Sequence, residues 1–264
     1  MKHTTSTGIT FHEYGNGDKT IIFVHGFIFD SSLWQRQIPA LIEEYKIIVP
    51  DLRGFGESTD CDGMITMESY VDDLFDIIKE KGIKKPVLAG LSMGGYAALR
   101  MAERSPEKFS GLVLFDTRAA ADSDEAKLKR AAGVRILKQG GLRTYATTLM
   151  ESVFSAGFKE RELEEFQGFI DRASAVSREG AIGALLAMMG RTNTTGFLES
   201  TTLPVLAICG EFDTLTPPTE MLQMMSNVKN GEFHIVPDAG HAAPFENYSE
   251  CNKLLANFLR NLPF

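Results

Sequence analysis

The sequence predicts an α/β fold, a mostly parallel central sheet with helices on both faces. Three observations predict it. Short runs rich in Val and Ile recur along the 264 residues, among them "TIIFVHG", "YKIIVPD", "PVLAGLS", "GLVLFD", "PVLAICG" and "FHIVP", each closed by Gly, Pro, Asp or Ser. Their hydrophobicity is continuous rather than alternating, which marks strands covered on both faces. Amphipathic stretches of helical length separate several of them, as right-handed crossovers between parallel strands require.

The elements follow in chain order. His12 and His234 fall in strand-like runs, and His3 in an amino terminus read as loose. Met67 to Lys81 places Val71, Leu74, Phe75 and Ile78 at helical i, i+3, i+4, i+7 spacing, with Asp72, Asp73, Asp76 and Lys79 on the other face. The alternation breaks once, between about Arg118 and Ser200, where helix signals follow one another with no strand between them. Asp122 with Glu125 three residues on reads as an N-cap and its reciprocal partner, opening "SDEAKLKRAAGVRILKQGG". "LRTYATTLMESVF", "KERELEEFQGFIDRAS" and "REGAIGALLAMMG" continue the pattern. Residues 1–117 and 201–264 are therefore expected to form a core domain, with 118–200 inserted between two strands as a helical cap.

Composition bounds the function. Lysine and arginine number 27 against 35 aspartates and glutamates, a formal charge of −8, so neither nucleic acid nor an anionic membrane is the expected partner. The insertion holds 12 basic and 11 acidic residues and the rest 15 and 24, so the negative charge lies on the sheet domain. No stretch approaches the ~18 apolar residues of a membrane helix, and no apolar run follows the first lysine as a secretory signal would demand. Cys61, Cys209 and Cys251 are odd in number and widely spaced, which argues against a disulfide framework or zinc site and for a cytoplasmic setting. Cys209 reads as a small buried hydrophobe.

The chemistry centres on "PVLAGLSMGGYAALR". Gly90-Leu91-Ser92-Met93-Gly94 fits Gly-x-Ser-x-Gly, a sharp strand-to-helix turn that presents a strained serine at a strand's end. The helix that begins there supplies its positive end and the Met93 N–H for an oxyanion. Such a serine needs a base. Among five histidines, His241 lies in a loop after the last strand, "VPDAGHAAPFEN", where a catalytic group is well placed. His25 precedes a loop that offers the Phe27 N–H to the same oxyanion, and its ring reads as structural. The orienting carboxylate is expected from "LAICGEFDTLTPP", with Asp213 preferred over Glu211 and Asp116 the competitor on the earlier strand. The chain order Ser92, Asp213, His241 is itself diagnostic of one fold.

These residues resemble the α/β-hydrolase superfamily over essentially the whole chain. "HGF" is similar to its oxyanion loop, "DLRGFGES" to its turn after the next strand, "GLSMGG" to its nucleophile elbow, "GEFDTLTP" to its acid loop and "DAGHAAPFE" to its histidine loop, all in order. Within the superfamily the chain most resembles the 3-oxoadipate enol-lactonase-like group and neighbouring carboxylesterases and cofactor-free peroxidases. The resemblance implies a Ser92–His241–Asp213 triad, oxyanion amides from Phe27 and Met93, and a cap that sets specificity. It implies a small ester or lactone as substrate, with no metal or organic cofactor. Cap residues expected to touch substrate are Phe154, Phe158 and Met188, and Arg118, Arg135, Arg143 and Arg191 are candidates to grip a substrate carboxylate. Carbon–carbon bond hydrolysis, cofactor-free peroxidation and non-catalytic ligand reception are the competing readings.

Overall fold

Among the described residues, one sheet carries eight strands: β1 (Lys2–Thr4), β2 (Thr10–Tyr14), β3 (Lys19–Val24), β4 (Tyr45–Pro50), β5 (Val87–Leu91), β6 (Gly111–Phe115), β7 (Val205–Gly210) and β8 (Gly231–Val236). Their order across the sheet is β1-β2-β4-β3-β5-β6-β7-β8. The first two pairings in that order are antiparallel and all the others parallel. The computed structural model describes residues 1–58 and 63–262, so Cys61 lies outside the described residues.

Among the described residues, twelve α-helices accompany the strands. Before β6 lie α1 (Ile38–Leu41), α2 (Met67–Glu80) and α3 (Met93–Arg104). Between β6 and β7 the chain runs through α4 (Asp124–Lys138), α5 (Leu142–Val153), α6 (Ala156–Arg161), α7 (Leu163–Ala175), α8 (Arg178–Met189) and α9 (Thr195–Ser200), with no strand among the described residues. The last three are α10 (Pro218–Met225), α11 (Ala243–Glu246) and α12 (Tyr248–Arg260). None of the described helices is long and apolar enough to cross a membrane.

Continuous apolar runs account for the central strands: Ile21 to Val24 in β3, Val87 to Leu91 in β5 and Gly111 to Phe115 in β6 are buried at every position. The last strand departs from that expectation. At the edge of the sheet, β8 leaves Ile235 51% exposed. The amino terminus departs in the opposite sense. Lys2–Thr4 pairs with β2 as a strand, and His3 stacks on Phe11 at 5.1 Å rather than hanging loose.

Local chemistry explains three further departures. Asp73, expected on the solvent face of α2, is 3% exposed, because Arg53 from the turn after β4 meets it with two hydrogen bonds of 2.9 and 2.6 Å. Helix α4 is capped by Ser123, whose hydroxyl accepts from the Ala126 N–H, and not by Asp122. The Asp122 carboxylate is held instead by Arg130 and Arg191. Finally, "KERELEEFQGFIDRAS" is two helices rather than one. The chain leaves helical geometry at Glu162 (φ −124°, ψ 46°), and the Ser155 hydroxyl starts α6 separately by accepting from the Phe158 N–H.

Candidate active site

Parallel strands bring their carboxyl ends to one side of the sheet, and there the candidate residues meet. Ser92 follows β5, Asp213 follows β7 and His241 follows β8. Ser92 sits at φ 52°, ψ −112°, a left-handed conformation that costs a non-glycine residue about 1–3 kcal/mol. The turn around it is held by the Ser92 N–H donating to Phe115 O at 3.0 Å and by the Thr117 hydroxyl donating to Ser92 O at 2.7 Å. Glycine is obligatory on both flanks. A Cβ on Gly90 would lie 2.4 Å from the Gly94 backbone, and one on Gly94 would lie 2.2 Å from Val24 O.

Asp213 is buried and saturated. Its Oδ1 accepts from the N–H groups of Leu215 (2.8 Å) and Thr216 (3.0 Å); its Oδ2 accepts from the Thr216 hydroxyl (2.6 Å) and from His241 Nδ1 (2.9 Å). Burial alone would raise this carboxyl's pKa, but the His241 ring and the Thr216 hydrogen bonds outweigh it and lower the value to about 2. An ionised carboxylate on Nδ1 fixes the tautomer in which Nε2 carries the lone pair. Sequence reasoning missed Thr216, although the Asp-x-x-Thr spacing of a short turn after the acid was there to be read.

Asp116, the competing acid, is fully buried but does not turn to the imidazole. It accepts from the Gly210 N–H at 2.8 Å and the Ala243 N–H at 3.2 Å, tying the end of β7 to the histidine loop. Burial, and then the charge of Asp213, push its pKa well above the ordinary carboxylate value. Asp116, Cys209 and Asp213 are the one group of described residues close enough together to suggest a metal site. They do not fit one. Burial drives the Cys209 thiol pKa far up, and the oxygens of both carboxylates are engaged by hydrogen-bond donors.

His25 is a structural residue. Its Nδ1 lies 2.8 Å from Gly26 O and its Nε2 accepts from the Leu52 N–H at 2.9 Å, so one neutral tautomer satisfies both nitrogens. Full burial depresses its pKa. Phe27 follows in the loop after β3 and lines the cavity with Ser92. Met93 opens α3; its side chain is buried, and as the first helical residue its N–H has no partner within the helix.

Ser92, His241 and Thr216 line a cavity of about 420 Å³. Tyr145, Leu149, Val153 and Met188 from α5 and α8 give it a largely apolar wall. Of the three residues expected to touch substrate, Met188 is in this lining, while Phe154 and Phe158 lie behind it. Those two stack on each other at 4.7 Å and pack against Phe169 (4.8 Å) and Phe245 (5.9 Å) respectively, joining the inserted helices to the core.

The lining also carries charge, with Arg118, Lys129 and Arg130 set against Asp122 and Glu125. Arg130 bonds Asp122, which Arg191 also bonds through Nη1 at 2.5 Å. Burial would raise the pKa of Asp122, but the two guanidinium groups lower it. Arg191 is committed to structure, donating to Met188 O and Ala120 O and lying 4.0 Å over the Tyr96 ring. Arg118 also lines the cavity, held by Leu215 O and a 3.2 Å charge contact with Glu220. Arg143 pairs with Asp171 on the surface and Arg135 is exposed on α4, so neither reaches the site. Sequence reasoning did not single out Arg130, Tyr96 or Tyr145, because nothing in a helical stretch marks which polar residue will face a cavity.

A family model described as the alpha/beta hydrolase fold matches residues 19–248. Among curated proteins, the chain is 26% identical to a 2-hydroxy-6-oxononadienedioate/2-hydroxy-6-oxononatrienedioate hydrolase of Pseudomonas sp over 95% of this chain and 91% of that one. It is 24% identical to 3-oxoadipate enol-lactonase 1 of Acinetobacter baylyi, over 98% and 96%. Among solved structures, a thermophilic esterase from Thermogutta terrifontis with malate bound superposes with a TM-score of 0.92 at 34% identity, covering 98% of this chain and 97% of that one.

Proposed function

The chain belongs to the α/β-hydrolase family, and on that premise we propose that it is a serine hydrolase cleaving a small carboxylic ester or lactone through an acyl-enzyme on Ser92. The observation that carries this reading is the engagement of His241 Nδ1 by Asp213, which leaves Nε2 as the basic nitrogen in a cavity that Ser92 also lines. His241 Nε2 takes the Ser92 proton as Oγ attacks the carbonyl carbon. The N–H groups of Phe27 and Met93 bind the oxyanion of the tetrahedral intermediate, and each such donor is worth ~10²- to 10³-fold in rate. The imidazolium, stabilised by Asp213, passes its proton to the departing alkoxide. Water then repeats the sequence, activated by the same nitrogen, and releases the acid.

Residues 118–200 act as a cap in this reading, closing the cavity over the substrate and setting its size. The excess of cations over anions in the lining favours an acyl or alcohol portion that carries its own carboxylate, with Arg130 as the residue that meets it. The malate held by the Thermogutta esterase, a dicarboxylate, is in keeping with that preference.

Labelling by diethyl p-nitrophenyl phosphate tests the nucleophile. One diethylphosphoryl group is expected on the peptide that contains Ser92, with hydrolytic activity lost in step. Labelling elsewhere, or full labelling with activity intact, would refute the assignment.

A further inference from the structure

The corner between α5 and α6 is tied to the loop that carries His241 by four hydrogen bonds. The His241 N–H donates to Val153 O at 2.7 Å. The Ser155 hydroxyl donates to Asp238 O at 3.4 Å. One side chain makes the remaining two: Glu246 accepts from the Gly240 N–H through Oε1 and from the Ser155 N–H through Oε2, both at 2.9 Å. Gly240 lets the two segments meet, since a Cβ there would lie 2.6 Å from Val153 O and 2.8 Å from Ser155 N. Glu246 is 6% exposed, a position a carboxylate tolerates only when donors replace its water.

The bridging is what matters. To hold the histidine loop alone, Glu246 would need only the Gly240 bond; to hold the inserted helices alone, only the Ser155 bond. With one rigid carboxylate on both, any lift of residues 153–155 pulls on the residue next to His241. We propose that Glu246 is a positioning residue that couples the seating of the inserted helices to the placement of the imidazole. The base is then aligned with Ser92 only when the 153–155 corner is down, which suppresses turnover while the site is open. This rests on the reading of His241 as the base.

Backbone substitution isolates the bond. Ser155 has φ −61°, and Phe154 before it has φ −91° and ψ 141°, both compatible with proline at 155. Ser155→Pro removes the N–H donor together with the hydroxyl that caps α6, whereas Ser155→Ala removes the hydroxyl alone and serves as the reference. Measured on a p-nitrophenyl ester, Ser155→Pro is expected to show kcat roughly tenfold or more below Ser155→Ala, with KM within about threefold and an equal melting temperature. Glu246→Gln, which keeps the shape but can accept only one of the two bonds, is expected to lose kcat similarly. Adding Ser155→Pro to it should cost less than about twofold more, because both changes break one link.

Equal kcat in Ser155→Pro and Ser155→Ala, or losses that multiply in the double variant, would overturn the coupling. Should Ser155→Pro fail to fold, Glu246→Gln decides, and wild-type kcat in the folded Gln variant overturns it. Activity that survives in His241→Ala would instead bring down the base reading, and the coupling with it.

Discussion

Asp213 Oδ2 lies 2.9 Å from His241 Nδ1, although the two residues come from loops after different strands and are joined by no other side-chain link except the Thr216 hydroxyl. Asp116, on the next strand over, spends both oxygens on backbone N–H groups. The two acids should therefore fail differently. Asp213→Asn is expected to fold and to lose about 10⁴-fold in kcat, since the amide favours the wrong imidazole tautomer. Asp116→Asn presents an N–H₂ to one of two N–H donors and should lower the melting temperature, with a much smaller loss of kcat. Steady-state kinetics beside thermal unfolding checks both, and a reversed pattern would move the catalytic acid to Asp116.

Acid should weaken the fold through Asp213. Its folded-state pKa, about 2, lies below the ordinary 3.8, so its stabilisation is complete above about pH 4 and disappears as pH falls through 2. Asp116 works in the opposite sense. Its pKa is raised in the folded state, so its contribution is greatest at low pH and declines as pH rises through the raised value. Urea unfolding at stepped pH should show the wild type losing stability between about pH 4 and 2 more steeply than Asp213→Asn.

Glycine at the nucleophile turn is a steric necessity. Gly94→Ala would set a methyl group 2.2 Å from Val24 O and 2.6 Å from His25 O, backbone atoms at and just after the end of β3, and should destabilise by about 3 kcal/mol. Gly196 in α9 has nothing within 4 Å of its would-be Cβ, so Gly196→Ala should be neutral or stabilising by up to about 1 kcal/mol. Denaturant midpoints for the two variants measure the contrast.

The buried thiols should be silent. Cys209 and Cys251 are both fully buried with pKa values pushed up by desolvation, which removes the reactive thiolate. In a Cys61→Ser background, a disulfide reagent should find no reactive thiol in the native protein and two after unfolding.

Much of the fold was legible because parallel strands buried on both faces leave an unbroken apolar signature, as Ile21–Val24 and Val87–Leu91 do. The chemistry-bearing loops were legible because each departs from periodic sequence at a strand's end. What stayed hidden depends on tertiary partners. Asp73 and Asp122 are charged residues whose burial is decided by arginines distant in sequence, Arg53 for one and Arg191 for the other. Phe154 and Phe158 looked like substrate contacts, but aromatic residues in an inserted helix pack core and line cavities with the same spacing. Glu246 acts through bonds to elements that no local pattern names.

The most direct measurement is hydrolysis of a short p-nitrophenyl ester series by the wild type and by Ser92→Ala, both shown to be folded. Turnover by the wild type that falls by about 10⁴-fold or more in Ser92→Ala is the expected result. Equal turnover in the two proteins would contradict a serine nucleophile at the end of β5.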